Sequence, residues 1–346
     1  MRQIDFRFII VHNGADKGEL KALMESPARL RMDDTAEIKT SLSGTFAPSD
    51  DIDLLADEIR PEMILDGVVF PLGVFAPATV SEERSENSLL LKVEAYDRCW
   101  RVRDNYTETI LSLAAGTNYI TAAKQLLTAS GIAAVLETPT TATLTEIRED
   151  WDIGTSYLEI INQLLSEINY KPLYFNSQGA AVLEPIGIPS ADNIQHVFDS
   201  NNIQSLMLPE TERGTDVYSA PNVFLCICSN PDKDGSLTAI SVNDNPQSPL
   251  SVQRRGRRIM RVENVDNIAS QAELNEYAEH LRNESMFTGE VITVSTALFP
   301  NFGVDDVVAL ITPDVTAICK DRNYEMELQV GGTMKHTLER VVLSLE

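Results

Sequence analysis

Cysteine, histidine and positive charge are all scarce in this chain of 346 residues, which holds four Cys, four His and 28 Lys/Arg against 52 Asp/Glu. The cysteines (Cys99, Cys226, Cys228, Cys319) stand among apolar or strand-like neighbours, which argues against a disulfide framework and for reduced core residues. Cys226 and Cys228 make at most half of a soft-metal site, with no second pair or nearby histidine to complete four ligands. On a strand such an i, i+2 pair simply shares one face. His12, His196, His280 and His336 are scattered without H-E-x-x-H spacing and read as exposed or capped. Asp50-Asp51-Ile52-Asp53 lacks the twelve-residue loop, central Gly and terminal Glu of a calcium site, and reads as a solvated turn. G-x-S-x-G, Walker-type and G-x-G-x-x-G motifs are absent as well. No catalytic, cofactor-binding or metal residue is expected, and no cofactor. Long hydrophobic runs are missing too: nothing approaches the ~20 apolar residues of a membrane span. The run Phe8 to Val11 is too short for a signal peptide, so synthesis and folding in a cytoplasm are expected.

What is abundant is acid. The net charge is −24, and residues 1–100 (11 Lys/Arg, 19 Asp/Glu), 101–213 (6, 14) and 214–346 (11, 19) each carry −8. The charge therefore belongs to whole surfaces and not to an acidic tail. It serves solubility, or it forms a wall past which a polyanion slides; sequence-independent phosphate binding would need Lys/Arg in its place, so no specific nucleic-acid binding is expected.

Periodicity divides the chain into β, α/β and β blocks, at 1–104, 105–204 and 205–346. In the first, Phe6–Ile10, Ala36–Lys39, a hairpin through Asp66-Gly67 and the alternation Leu89, Leu91, Val93, Ala95 predict strands. In the second, Ile120, Ala123 and Leu127 make one helical stripe, ended by Gly131. A second helix starts near Tyr157, because Ser156 and Glu159 stand at capping-box spacing and Leu158, Ile161, Leu165 and Ile168 follow on one face. It leads through Pro172 into a hairpin, with strands at Leu173–Phe175 and Ala180–Leu183 around the turn residues Asn176 to Gly179. In the third block strands are expected at 222–229, 237–242, 291–297, 307–312, 323–329 and 337–345. One helix interrupts them, with Ser270 and Glu273 as a capping box and Leu274, Tyr277, Ala278 and Leu281 on its apolar face.

The stretch Trp151, Gly154, Leu158, Ile161, Asn162, Leu164, Leu165, Ile168, Asn169, Tyr170 resembles the W-x-x-G-x-S-x-L-x-x-I-N-x-L-L-x-x-I-N-Y run of phage tail (baseplate) hub proteins. Ala220-Pro221-Asn222-Val223-Phe224, Asn245-Pro246, Ser248-Pro249 and Arg254-Arg255-Gly256-Arg257-Arg258-Ile259 extend it, so that order and spacing match over roughly residues 40 to 346. Where such proteins tend to have G-D-x-V this chain has Gly303-Val304-Asp305-Asp306-Val307, a turn longer by about one residue. The resemblance implies an α+β, mainly β fold with two tail-tube-like β-barrel domains (1–104 and 205–346, the latter with one helix) around an α/β insert domain (105–204). It further implies a homotrimer in the virion tail, joining a tail tube or distal tail protein to a central spike protein, meeting a tape measure protein, and forming a ring for DNA passage in a phage, prophage or related injection particle. Closed rings of this kind need heterologous contacts.

Two other readings compete with that structural, non-enzymatic one. A peptidoglycan-degrading tail enzyme would need two carboxylates at catalytic separation, and usually carries its hydrolase as a separate unit after the last β block, where none is read here. A receptor-binding tail adhesin would show aromatic-rich β modules, and aromatics are only 6% of this chain. The one dense basic stretch is Arg254, Arg255, Arg257, Arg258 and Arg261, five of the final third's eleven basic residues. It is a candidate protein contact, since guanidinium pairs bidentately with carboxylate, or else a solvated loop. A nucleic-acid patch is the third option and lacks interleaved aromatics. The turn-dense segment Asn230 to Pro249 reads as a surface connection.

Overall fold

The chain is α+β and mainly β. The computed structural model describes residues 3–23, 26–84, 89–149, 151–187, 189–202, 206–215, 220–228, 237–265, 271–284 and 287–341. It contains two compact units, one made of Met1–Pro185, Ser295–Asp305 and Arg322–His336, the other of Ile186–Val294, Asp306–Asp321 and Thr337–Glu346.

The first unit begins with eight strands: β1 (Ile4–His12), β2 (Ala15–Leu20), β3 (Ala28–Asp33), β4 (Thr40–Phe46), β5 (Glu58–Leu65), β6 (Val68–Pro71), β7 (Phe75–Arg84) and β8 (Leu89–Asp97). Their order is β3-β4-β8-β7-β5-β1-β2, with β6 on β5. The alternation in β8 has the expected cause: Leu91, Val93 and Ala95 are buried while Lys92 and Glu94 face solvent. Asp66-Gly67 turns β5 into β6 with positive φ at both residues, and Asn13-Gly14 does the same between β1 and β2, a hairpin absent from the strand pattern read above. Ala36–Lys39 is not a strand. Asp33 Oδ1 accepts from the Thr35 amide and hydroxyl, and the Ala36 amide bonds to Asp33 O, so these residues form the turn from β3 to β4. Phe8 and Phe46 meet edge to face at 5.2 Å, and Ile10, Ile59, Met63 and Phe75 are buried as well. The named strands close into no barrel among the described residues. Just past β2, however, the Leu23 amide donates to Thr45 O (3.0 Å) and the Ala47 amide to Lys21 O (2.8 Å), which ties that segment to the end of β4.

The same unit continues through α1 (Cys99–Arg103), α2 (Tyr119–Ala129), β9 (Val135–Glu137), α3 (Tyr157–Glu167), β10 (Tyr174–Phe175) and β11 (Ala181–Leu183). β11 pairs antiparallel with β10 and parallel with β9. α3 starts where the sequence says, and α2 carries the expected stripe of Ile120, Ala123 and Leu127, all buried. Asn118 Oδ1 caps α2 by accepting from Thr121 N, and Ser156 Oγ caps α3 by accepting from Leu158 N, two residues on instead of the three of a capping box. Leu158, Ile161 and Leu165 are fully buried, joined by Ile160 and Leu164, so the apolar face is wider than the stripe. Trp151 owes its place to two contacts: its Nε1 donates to Gln163 Oε1 (2.8 Å), and the Arg148 guanidinium lies 4.7 Å from its ring centroid. Arg148 in turn donates to both Glu167 carboxylate oxygens (3.0 and 2.8 Å), a pair almost wholly out of solvent. Arg98, between β8 and α1, joins the strands to this segment by donating to Glu58 on β5 and to Gly179 O.

The second unit holds β12 (His196–Asp199), β13 (Met207–Thr215), β14 (Val223–Cys228), β15 (Leu237–Val242), α4 (Val252–Arg255), β16 (Met260–Val265), α5 (Gln271–Glu284), most of β17 (Phe287–Ala297), and β18 (Val307–Ile311). β19 (Thr316–Leu328) and β20 (Thr333–Val341) complete the chain. β18 pairs parallel with β12 and antiparallel with the start of β19. From Asn323 onward β19 belongs to the first unit, antiparallel to β3. β14 lies between β15 and β16, and α5 packs its Leu274, Ala278 and Leu281 on that sheet. Ser270, the expected cap of α5, falls outside the described residues, as do 342–345 at the end of the last expected strand. In the turn before β18, Asp305 takes φ +68°. His336 departs from the expectation of exposure: it shares the buried face of β20 with Met334 and Leu338, 3.1 Å from the Thr296 hydroxyl and 4.8 Å from the Phe302 ring centroid.

Candidate functional site

The five arginines are presented by a short, tightly bonded segment. Ser251 Oγ caps α4 by accepting from Arg254 N, and Gly256 ends it in the left-handed region. Asn222, fully buried, fastens the backbone on both sides of α4. Its Nδ2 donates to Leu250 O (3.1 Å) and Arg257 O (3.0 Å), and its Oδ1 accepts from Ile259 N (2.8 Å). Asn243 adds a bond from Nδ2 to Ser248 Oγ and accepts from Val252 N on its carbonyl. Asn222 and Ser248, noticed in the sequence only as parts of a resemblance, are thus the pins of the arginine segment. Their signal was available, since Asn side chains bridge backbone groups in turns.

The five side chains do not act alike. Arg254, Arg257, Arg258 and Arg261 are exposed, and Arg261 on β16 also donates to Glu263. Arg255 is half-buried and donates to Ala220 O at 2.6 Å. Burial, with Arg257 nearby, pulls its pKa below the usual guanidinium range. Arg255 therefore serves the fold, and the other four stand where a partner can reach them. A strand at Met260–Val265 was not expected either: it forms β16, parallel to β14 at one side of the three-strand sheet.

Replacing Asn222 with alanine is expected to cost about 3 kcal/mol, because backbone groups at Leu250, Arg257 and Ile259 lose this partner together. Urea denaturation measures it, and amide exchange across 250–259 should quicken in step. A loss below about 1 kcal/mol would mean that the segment holds itself.

The remaining candidates are structural. Cys226 and Cys228 share the core face of β14 against α5, and all four cysteines are free and buried. Burial pushes the Cys226 thiol up to about 11 and Cys319 to about 12, so both are poor ligands and nucleophiles at neutral pH. No group of three metal-ligating side chains gathers among the described residues. Asp50–Asp53 lies in a turn in which Asp53 Oδ1 accepts from Leu55 N. His12 meets Asp57, and His196 meets Asp306. Among the described residues no helix is long and apolar enough to cross a membrane.

No family model and no curated protein matches the chain. Solved structures do. A tail protein from Neisseria meningitidis MC58 superposes with a TM-score of 0.69 at 13% identity, over 97% of both chains. The 43 kDa tail protein of prophage MuSo2 from Shewanella oneidensis gives 0.68 at 9% identity, over 97% of this chain and 98% of that one. The E. coli c3393 protein, a component of the type VI secretion system with structural similarity to the T4 tail proteins gp27 and gp5, gives 0.53 at 9% identity, over 93% and 76%. The chain has the fold of phage and prophage tail proteins.

Proposed function

We propose that this protein is a structural tail hub without enzymatic activity, a homotrimeric ring in a virion tail or related injection particle that joins the tail tube to the central spike and lets DNA through. The observation that carries this is the match to two tail proteins along nearly the whole chain, which supports a structural role. The similarity to a type VI secretion component likened to gp27 and gp5 supports the spike side of the reading. In this proposal residues 1–104 and 205–346 are the two tube-like domains and 105–204 the insert. The bonds from Leu23 and Ala47 that tie the end of β2 to β4 favour a barrel in the first. Three chains then offer six tube-like domains to a six-fold tube and three-fold symmetry to a spike. The even acidic charge suits a channel lining that does not hold a polyanion. A tube or distal tail protein, the spike and a tape measure protein are the expected neighbours.

Native mass spectrometry of the purified chain, with reconstruction of the particle at the spike junction, tests this. Three copies around a channel wide enough for duplex DNA are expected. A stable monomer in both settings, or six copies at the junction, would overturn it.

A further inference from the structure

Two exposed surfaces of this chain match each other in apolar character and oppose each other in charge. The first is the side of the β15-β14-β16 sheet turned away from α5. Phe224, Cys226 and Cys228 occupy the α5 side, so the residues alternating with them occupy the other. The strand register places Ile240, Leu225 and Val262 in one row across the three strands, with Met260 beside Val223 in the next row. Ile240, Met260 and Val262 are each at least half exposed. A soluble sheet normally turns polar residues outward, and a cluster of large apolar ones in solvent marks an interaction site. The chain enters this surface through Arg257 and Arg258, both exposed.

The second surface lies on residues 105–113, 148–149 and 151–156. These segments run antiparallel, tied by Thr107 N to Thr155 O, Gly154 N to Thr107 O, and the mutual amide–carbonyl bonds of Leu113 and Arg148. On them and immediately beside them Tyr106, Ile110, Ile147 and Ile153 are each more than half exposed. Glu108, Glu146, Glu149 and Asp152 stand exposed between them. The only basic residue from Asp104 to Tyr170 besides Lys124 is Arg148, and it is buried against Glu167. The charge exposed on these segments is therefore acidic, and Arg103 at their edge is engaged with Asp104.

We propose that the outward face of β15-β14-β16 in one copy of this chain docks on the Tyr106–Ile153 surface of the next copy. This rests on the ring assembly proposed above and names the contact that would build it. Charge selects the occupant: a basic apolar face fits an acidic apolar one, and in a chain that otherwise repels its own kind at −24 this is where two copies attract. Face-to-face pairing of two identical β15-β14-β16 surfaces would set arginine against arginine. Pairing of unlike surfaces is the heterologous geometry that a ring needs.

The test mixes an Ile240→Cys variant with an Ile153→Cys variant and treats them with a short bismaleimide linker. Both positions are exposed, so folding is unaffected, and the four natural cysteines are buried and give little background. A two-chain product at least about tenfold stronger in the mixture than in either variant alone is expected, and excess unmodified protein should compete it away. Equal yield in the mixture and the single variants, or a product mainly from Ile240→Cys alone, would overturn the docking. The native mass of the unmodified chain keeps the two ideas apart. A three-chain species without the mixed cross-link overturns this contact and leaves the assembly reading standing, whereas the mixed cross-link in a species that is not three-fold does the reverse.

Discussion

Replacing Glu58 with alanine is expected to destabilise the first unit by about 3–5 kcal/mol, the range for breaking a buried ion pair from one side. Glu58 is 3% exposed and accepts from Arg98 Nε (3.0 Å) and Nη2 (2.7 Å), with Arg101 at 3.5 Å. Without the carboxylate the Arg98 guanidinium stays largely out of water, with Gly179 O at 2.9 Å its remaining protein acceptor among the described residues. Removing the guanidinium as well, in Glu58→Ala with Arg98→Leu, should recover part of the loss, since no charge is then left stranded. The exposed pair Arg29–Glu325 supplies the contrast: breaking it should cost under about 1 kcal/mol. Urea denaturation of the four proteins decides. A Glu58→Ala cost below about 1 kcal/mol would show that the strands and the segment 99–185 do not depend on this pair. Faster amide exchange in α1 should accompany a large loss, because Arg98 sits at its start.

Where one local rule decides a conformation, the sequence was enough to find it. The stripe Leu158, Ile161, Leu165 and the cap at Ser156 fix α3, and the Leu91-Val93-Ala95 alternation fixes β8, because both patterns describe one buried face. Ala36–Lys39 is a turn for a reason also written in the chain: Asp33, Asp34 and Thr35 are turn formers, and their hydrogen bonding outweighs the short polar–apolar alternation of Glu37, Ile38 and Lys39. The Asn13-Gly14 turn was equally legible, since that dipeptide favours positive φ at both positions. His336 and Arg255 were not legible. Whether a polar side chain is buried depends on what the fold sets opposite it, here the Thr296 hydroxyl and the Ala220 carbonyl, and neither partner is near in sequence. The same holds for the surface of Ile240, Met260 and Val262. It exists only because β16 pairs parallel with β14, across an intervening strand and helix, so a row that reads as ordinary alternation in each strand becomes a continuous apolar face.

Reversing Arg254, Arg257 and Arg258 to glutamate is expected to weaken self-association by at least about 100-fold while each protomer stays folded. The size reflects like charges set against carboxylates at a contact, which costs several kcal/mol. The fold should survive because these side chains are exposed, and exposed charges contribute ~0–1 kcal/mol each. Arg255 is the internal control. Its guanidinium is half-buried against Ala220 O, so Arg255→Glu should lower the stability of the isolated chain by about 2 kcal/mol, a loss visible in denaturant without any partner. Sedimentation velocity and denaturation on the same preparations separate the two effects. Raising salt should weaken association of the unaltered chain and matter less to the triple variant, since screening acts on the attraction that the variant has already lost. Unchanged association in the triple variant would take the arginines out of the contact, and unfolding of that variant would give them the same structural role as Arg255 and Asn222.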